Sequence, residues 1–198
     1  MRHDHLTRSS TSSANLLGVS PDLTIRIKRH PDGTASLTCT RADGTTTWQR
    51  QRGGYALVFP SHDLTHFAVE TTLGYAHGFY GLIADGWEIS DFAAPWPRGP
   101  VHADALEVEL IVGFFDSERR DSAAWTAEEL HAHAERYVAA QRALHPGRPL
   151  AEPPHLTDAQ VVRVRDARDE LLRRWSDVPP GETLELRFTR SPRGDEGG

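Results

Sequence analysis

The amino-acid sequence predicts an α+β fold, in which an N-terminal antiparallel β-meander and a C-terminal strand pack against a group of four to five helices. Two observations support this class. Residues 23–50 alternate apolar and polar side chains, whereas most of the chain after residue 60 carries apolar residues at helical spacing. A chain of 198 residues that is 38% hydrophobic can bury a core without disulfides. We therefore predict a single domain over residues 21–190, between polar tails at 1–20 and 191–198 that are expected to be disordered.

Period-two patterns predict the strands of the meander. Leu23, Ile25 and Ile27 alternate with polar residues, as on a strand with one buried face. Pro-Asp-Gly at 31–33 and Ala-Asp-Gly at 42–44 predict two hairpin turns. The predicted strands of this region are 23–28, 35–40 with a buried Cys39, 45–50, and a short apolar run at 55–59.

The helical part is predicted to begin directly after this run. Ser61, which follows Pro60, is the predicted N-cap of the first helix, and Gly74 is predicted to end it in a left-handed conformation. A second, short helix is predicted over 76–85. The segment 103–117 fits either a helix or a strand, because its first residues alternate while its wider apolar spacing is helical.

Two capping boxes predict the remaining helices. The first begins at Thr126 and predicts a helix to about Leu144, and the second begins at Thr157 and predicts a helix that the Pro-Pro-Gly sequence at 179–181 ends. Residues 184–188 then alternate again, which predicts a last strand that joins the meander.

The residues that suggest chemistry are concentrated in the first predicted helix. His62, His66 and Glu70 are four residues apart, so each lies about 40° from the previous one around the helix axis and all three share one face. Two neutral imidazoles at this spacing can bind one metal ion, and a carboxylate one turn further completes a set that suits zinc or iron. Asp63, beside this face, is the predicted general base. The predicted function is a metal-dependent hydrolase with a small-molecule substrate of unspecified class.

An alternative of a different class stays open at this point. The protein could be a non-catalytic α+β module that binds a ligand or a partner, with structural histidines. Val69 and Leu73 flank His62 and His66 on the helical wheel, as expected for histidines at the edge of a core. His77 could turn back toward the same site, although a single histidine near a helix start is commonly a surface residue.

Two further features allow two interpretations each. Glu128 and His131 could complete a two-metal carboxylate site if their helix faced the first one, although a solvated polar face is the more common arrangement. The sequence does not assign a role to His133. The loop 93–100 could lie over the site as a lid or serve only as a connection.

Composition and charge argue against several other classes. Cys39 is the only cysteine, which excludes an intrachain disulfide and a cysteine-rich metal site. The formal net charge of −6 argues against sequence-independent binding of nucleic acid. We see no apolar run long enough for a membrane span and no secretory signal, so we expect a cytoplasmic protein without membrane contact. The oligomeric state is not specified.

The segment from Phe59 to Trp87 reads H-D-L-x-H-x-x-V-E, followed by L-G and F-x-G, and resembles a segment of uncharacterised bacterial proteins for which it implies no activity. The H-D-x-x-H element also resembles the zinc-ligand motif of the coenzyme Q biosynthesis scaffold family. That resemblance implies zinc ligands in this element, and the family's distal glutamate corresponds to Gly78 here. The His62-Asp63 pair is similar to that of the HD phosphohydrolases, whose metal site also needs an upstream histidine and a distant aspartate.

Overall fold

The computed structural model describes residues 21–93, 97–147 and 149–190, so the predicted tails at 1–20 and 191–198 and the centre of the 93–100 loop lie outside the described residues. Four strands and five α-helices lie within the described ranges, and a 3-10 turn at Ile89–Phe92 joins the second and third helices. This arrangement confirms the α+β class. The elements are β1 (Leu23–Arg29), β2 (Ala35–Arg41), β3 (Thr46–Arg50), α1 (Phe59–Leu73), α2 (Phe79–Ala84), α3 (Ala103–Asp121), α4 (Ala127–Leu144), α5 (Asp158–Ser176) and β4 (Thr183–Phe188).

The sheet has the order β3-β2-β1-β4, and each neighbouring pair is antiparallel. Ile25 of β1 lies opposite Cys39 of β2 on one side and Leu186 of β4 on the other. These three side chains are buried, because alternate residues of each strand face the helices. The meander, the C-terminal strand that joins it and the buried Cys39 are all as the sequence predicts.

The predicted strand at 55–59 is wrong. Residues 53–58 form turns instead, in which the amide of Phe59 donates to the carbonyl of Tyr55, and α1 begins at Phe59. The side chains of Tyr55 and Leu57 are 78% and 64% exposed, and Ala56 is the one buried residue of this apolar run. The five residues 55–59 show no alternation of apolar and polar side chains. The strand was therefore predicted from the length and apolar composition of the run alone, and these do not distinguish a strand from other structures.

The first helix begins earlier than the sequence suggests. Val58 takes the N-cap position and Pro60 lies in the first turn, where the missing N–H of proline has no cost, so the prediction of Ser61 as N-cap is wrong. Gly74 ends α1 with a φ of 73°, as predicted. The second helix is shorter than predicted and begins at Phe79, so His77 lies before it.

The later helices follow their capping signals. The capping boxes at Thr126 and Thr157 are both present, with each hydroxyl accepting from the backbone of the third helical residue. The ambiguous segment after residue 103 is helical throughout α3, because its apolar residues pack on one side against α1 and α5. None of the described helices is long and apolar enough to cross a membrane.

Helix α1 lies at the centre of the molecule, between two apolar clusters. Leu64 and Ala68 pack in the cluster formed with the sheet and α2, whereas Val69 packs in the cluster formed with α3, α4 and α5. Eight of the fifteen residues of α1 are buried. Because apolar neighbours occupy two sides of this helix, its polar residues are forced into the interior, and each needs a partner there.

Candidate metal centre

Three donor atoms converge where α1 packs against α3. The Nε2 atoms of His62 and His66 lie 3.2 Å apart, and Nε2 of His66 lies 3.5 Å from Oε1 of Glu109. Donor atoms of these three residues all lie within 4.8 Å of one another. Imidazole and carboxylate are ligands that zinc and iron accept, so this cluster could hold a metal ion.

The two helices supply the cluster from opposite directions. His62 lies nearest to Asp116 and His66 nearest to Glu109, so residue numbers rise along α1 as they fall along α3 and the helices run antiparallel. The two histidines are one helical turn apart, and the two acidic residues are two turns apart on α3. This spacing keeps each pair on one helix face.

Asp116 orients the first imidazole. Its Oδ2 lies 2.8 Å from Nδ1 of His62, and Arg119 approaches its other oxygen at 3.7 Å. Burial by itself would raise the pKa of Asp116, but the contacts with His62 outweigh burial and lower that pKa, so Asp116 is ionised. The ionised Asp116 carboxylate accepts a hydrogen bond from Nδ1–H of His62. The lone pair of this ring is then on Nε2, which faces His66.

Glu70 lies on the other side of the second imidazole. Its Oε1 is 3.7 Å from Nδ1 of His66, and Nδ1 itself makes no hydrogen bond within the described part of the chain. The carboxylate of Glu70 is buried and accepts backbone N–H groups of Tyr80 and Gly81 at the start of α2. The structure therefore brings Glu70 to His66, but at the edge of the ring that faces away from His62. The assignment of Glu70 as a metal ligand stays a prediction. The position of Glu70 beside Nδ1 of His66 does not favour that assignment, because the cluster forms at Nε2.

Asp63 lies outside the three-residue cluster. It is 4% exposed, and its backbone carbonyl accepts the Tyr80 hydroxyl. Burial raises the pKa of its carboxyl to about 7, although the two neighbouring histidines oppose that rise. A carboxyl with such a pKa suits a general base that works near neutral pH, and the assignment of Asp63 to that role stays a prediction.

The cluster has more acidic than basic side chains. Burial lowers the pKa of His66, but Glu109 and Glu70 outweigh burial and raise it to about 9, so the metal-free imidazole is protonated at neutral pH. Four carboxyl groups, from Asp63, Glu70, Glu109 and Asp116, surround two imidazoles, and burial raises the pKa of the Asp63 and Glu70 carboxyls. Such a group favours a cation at its centre, whether a proton or a metal ion.

Aromatic rings close the inner side of the cluster, while one ligand faces water. Phe59 contacts the ring of His62 and Phe79 contacts the ring of His66, with centroids 5.9 and 5.3 Å apart. His66 is 2% exposed, whereas the side chain of Glu109 is 54% exposed. A metal ion could therefore enter from the Glu109 side.

The other histidines whose roles the sequence leaves open lie outside the cluster of His62, His66 and Glu109. His77 contacts Asp104, Asp85 and the ring of His102, and these are the partners it has in place of Glu70. His131 contacts Glu135 on α4, and among the described residues it belongs to no cluster of three or more candidate ligands. His133 stacks on Trp125, with ring centroids 4.3 Å apart.

Sequence reasoning missed Glu109 and Asp116. Their spacing of seven residues would place them on one helix face, but this signal is usable only once 103–117 is known to be helical. No protein-family model, curated protein or solved structure matches this chain in the comparisons made.

Proposed function

We propose that this protein binds a divalent transition metal ion, zinc or iron, through Nε2 of His62, Nε2 of His66 and the carboxylate of Glu109. The observation that carries the proposal is the separation of 3.2 Å between the two Nε2 atoms. Ligands at about 2.0–2.1 Å from a tetrahedral zinc ion are about 3.3 Å apart, so the spacing of the two nitrogens matches that of two ligands of one ion.

The carboxylates behind the imidazoles support the same proposal. Asp116 contacts Nδ1 of His62 and Glu70 approaches Nδ1 of His66, so Nε2 of each ring is the nitrogen that faces the centre of the cluster. Carboxylates in this position orient metal-bound histidines and make them stronger ligands. In this proposal Glu70 acts as a positioning residue.

The metal ion replaces a proton. Because His66 has a pKa raised to about 9, its Nε2–H donates to the lone pair of His62 Nε2 at neutral pH in the metal-free protein. Metal binding displaces this proton, so calorimetry in buffers of different ionisation enthalpy is expected to detect the release of about one proton at pH 7.

The proposed reaction class is metal-dependent hydrolysis of a small molecule. Three protein ligands leave a coordination position for water, as in catalytic zinc sites, and a bound metal lowers the pKa of that water. Asp63, whose pKa is about 7, is the proposed general base. Two histidines and a carboxylate equally suit a non-haem iron centre with open positions.

The test is the metal content of the purified protein by mass spectrometry. Wild type is expected to contain one equivalent of zinc or iron that His66→Ala and Glu109→Gln each lose, with an unchanged circular dichroism spectrum. Equal metal content in the wild type and in both variants would overturn the proposal. The 3.2 Å contact between His62 and His66 would then be a hydrogen bond of structural histidines, as in a non-catalytic binding module.

A further inference from the structure

A second group of candidate ligands lies where the α1–α2 connection meets the beginning of α3. His77, His102 and Asp104 each offer one donor atom, and these atoms all lie within 4.8 Å of one another. We propose that this group is a second, structural site for a divalent cation, with Nδ1 of His77, Nδ1 of His102 and the carboxylate of Asp104 as its ligands. This site shares no residue with the cluster at His66.

The distances fit the first-row metals. Oδ2 of Asp104 lies 3.5 Å from Nδ1 of His77 and 3.7 Å from Nδ1 of His102. Ligands of a tetrahedral zinc ion are about 3.3 Å apart, so small rotamer shifts bring these atoms to one ion. The side chains of both histidines are partly exposed, which permits those shifts.

The fold already selects the right nitrogen of His102. This residue is the N-cap of α3, and its Nδ1 accepts the backbone N–H of Asp104 at 3.1 Å. An accepting Nδ1 carries the lone pair and leaves the proton on Nε2. The cap therefore holds His102 in the tautomer that ligates through Nδ1, and an ion at that atom takes the place of a single amide hydrogen bond.

His77 lies between two carboxylates, as His66 does in the α1–α3 cluster. Its Nδ1 faces Asp104, while its Nε2 lies 4.0 Å from Oδ2 of Asp85, which in turn pairs with Arg190. An ion at Nδ1 would leave Nε2–H directed at Asp85, the arrangement that strengthens a histidine ligand. The rings of His77 and His102 are also in contact, with centroids 4.5 Å apart.

The positive end of the α3 dipole and the exposure of the two histidines are expected to make this the weaker of the two sites. The positive end of α3 opposes a cation at its first turn, and Asp104 and Asp85 offset that effect. The side chains of His77 and His102 are 43% and 48% exposed, so water competes for the ion. We expect a dissociation constant higher than that of the cluster at His66.

An ion at the second site would stabilise the α1–α2 connection, which packs against Glu70 of the first site. His77 precedes Gly78, and a Cβ at Gly78 would lie only 2.5 Å from Cδ of Glu70. The connection that carries His77 therefore packs directly on the carboxylate that approaches His66. An ion that ties this connection to α3 would hold Glu70 in place.

Zinc titration of the metal-free 198-residue chain, monitored by calorimetry, tests this inference. The decisive variant is His102→Ser, because serine is a strong N-cap that replaces the capping bond and removes the ligand. We expect two equivalents of bound zinc in wild type and one in His102→Ser, with the same melting temperature in EDTA. His77→Gln is expected to give the same loss, and His145→Ser, at an exposed histidine, is expected to give none.

The two sites fail independently in this experiment. His66→Ala should remove the tighter equivalent and leave the weaker one, and the double variant His66→Ala/His102→Ser should bind none. Wild-type stoichiometry in both His102→Ser and His77→Gln would overturn the second site. Stoichiometry that falls in His102→Ser but not in His66→Ala would instead overturn the proposed function and support the second site.

Discussion

At the scale of single residues, His66 joins every part of the candidate centre. One edge of its ring meets His62 and Glu109, and the other edge meets Glu70. The side chain is 2% exposed, so its charge state is set by these neighbours and by burial. Each neighbour therefore acts on a metal ion either directly as a ligand or through the orientation and basicity of this imidazole.

Glu70→Gln separates these two roles. If Glu70 positions His66, the variant retains one equivalent at the centre but binds zinc about 10–100-fold more weakly, because the charge behind the ring is lost. Isothermal titration calorimetry measures this, with His66→Ala as the reference for a lost ligand. Affinity equal to wild type would contradict the positioning role, and complete loss of binding would indicate that Glu70 is itself a ligand.

Glu118 is predicted to stabilise the fold apart from the metal centre. It is 1% exposed and accepts hydrogen bonds from Arg165, Arg168 and the amide of Trp125. Glu118→Gln removes the carboxylate paired with Arg165 and leaves the buried Arg168 with Asp169 alone, so we expect a loss of about 3 kcal/mol in the free energy of unfolding in urea. Glu170→Gln, which breaks an exposed pair with Arg173, is the control and should change stability little.

The same carboxylate gives a prediction for pH. Burial would raise the pKa of Glu118, but the hydrogen bonds from Arg165 and the Trp125 amide outweigh burial and lower it below its ordinary value of 4.5. The contribution of ionised Glu118 to the free energy of unfolding is therefore complete above the pKa that this residue has in the unfolded chain. It is lost as the pH falls through the lower pKa that Glu118 has in the folded protein. Urea unfolding between pH 7 and pH 3 should show the stability difference between wild type and Glu118→Gln shrink as acid is added. A constant difference would contradict this.

At the scale of elements, local sequence patterns predict features that depend on a single helix or strand. They do not predict contacts that depend on how two elements pack together. His62, His66 and Glu70 share a face because of α1 alone, so their grouping could be predicted from spacing. Glu109 reaches the site only because α3 packs antiparallel to α1, and no pattern within α3 specifies that packing. The capping boxes are local and were predictable, whereas the 55–59 run was misread because its short apolar sequence has no period.

The contact between the α1–α2 connection and α1 leads to a test of element packing. Gly78→Ala places a Cβ 2.5 Å from Cδ of Glu70, so we expect a loss of about 1–3 kcal/mol in stability and weaker zinc binding as Glu70 moves. Gly113→Ala is the matched control, because a Cβ there meets no atom within 4 Å. It should raise stability by about 0.5–1 kcal/mol as alanine replaces glycine inside α3. Equal effects of both variants in thermal melts would contradict this packing.

At the scale of the whole molecule, α1 connects the sheet layer to the helical layer. The predicted α+β class depends on the sequence separation of strands and helices, and the structure confirms it. The same central position buries the polar residues of α1 between two apolar clusters. A metal ion at the centre would join α1 to α3, two elements that residues 74–102 separate in the chain.

Such an ion is expected to stabilise the entire domain, because the unfolded chain does not hold the three ligands together. At a free zinc concentration of 100 times the dissociation constant, the gain is about 2.7 kcal/mol. Thermal unfolding of His102→Ser with and without zinc measures the centre at His66 alone. A melting temperature that does not rise with zinc, while calorimetry shows binding, would mean that zinc binds the unfolded chain equally well.

The most direct test of the central claim is the zinc K-edge X-ray absorption spectrum of His102→Ser loaded with one equivalent of zinc. The variant confines the ion to the centre formed by His62, His66 and Glu109. We predict two imidazole ligands and oxygen ligands at about 2.0–2.2 Å, and the loss of one imidazole in His66→Ala/His102→Ser. Zinc that remains fully hydrated in His102→Ser, or a spectrum without imidazole scattering, would contradict the metal centre.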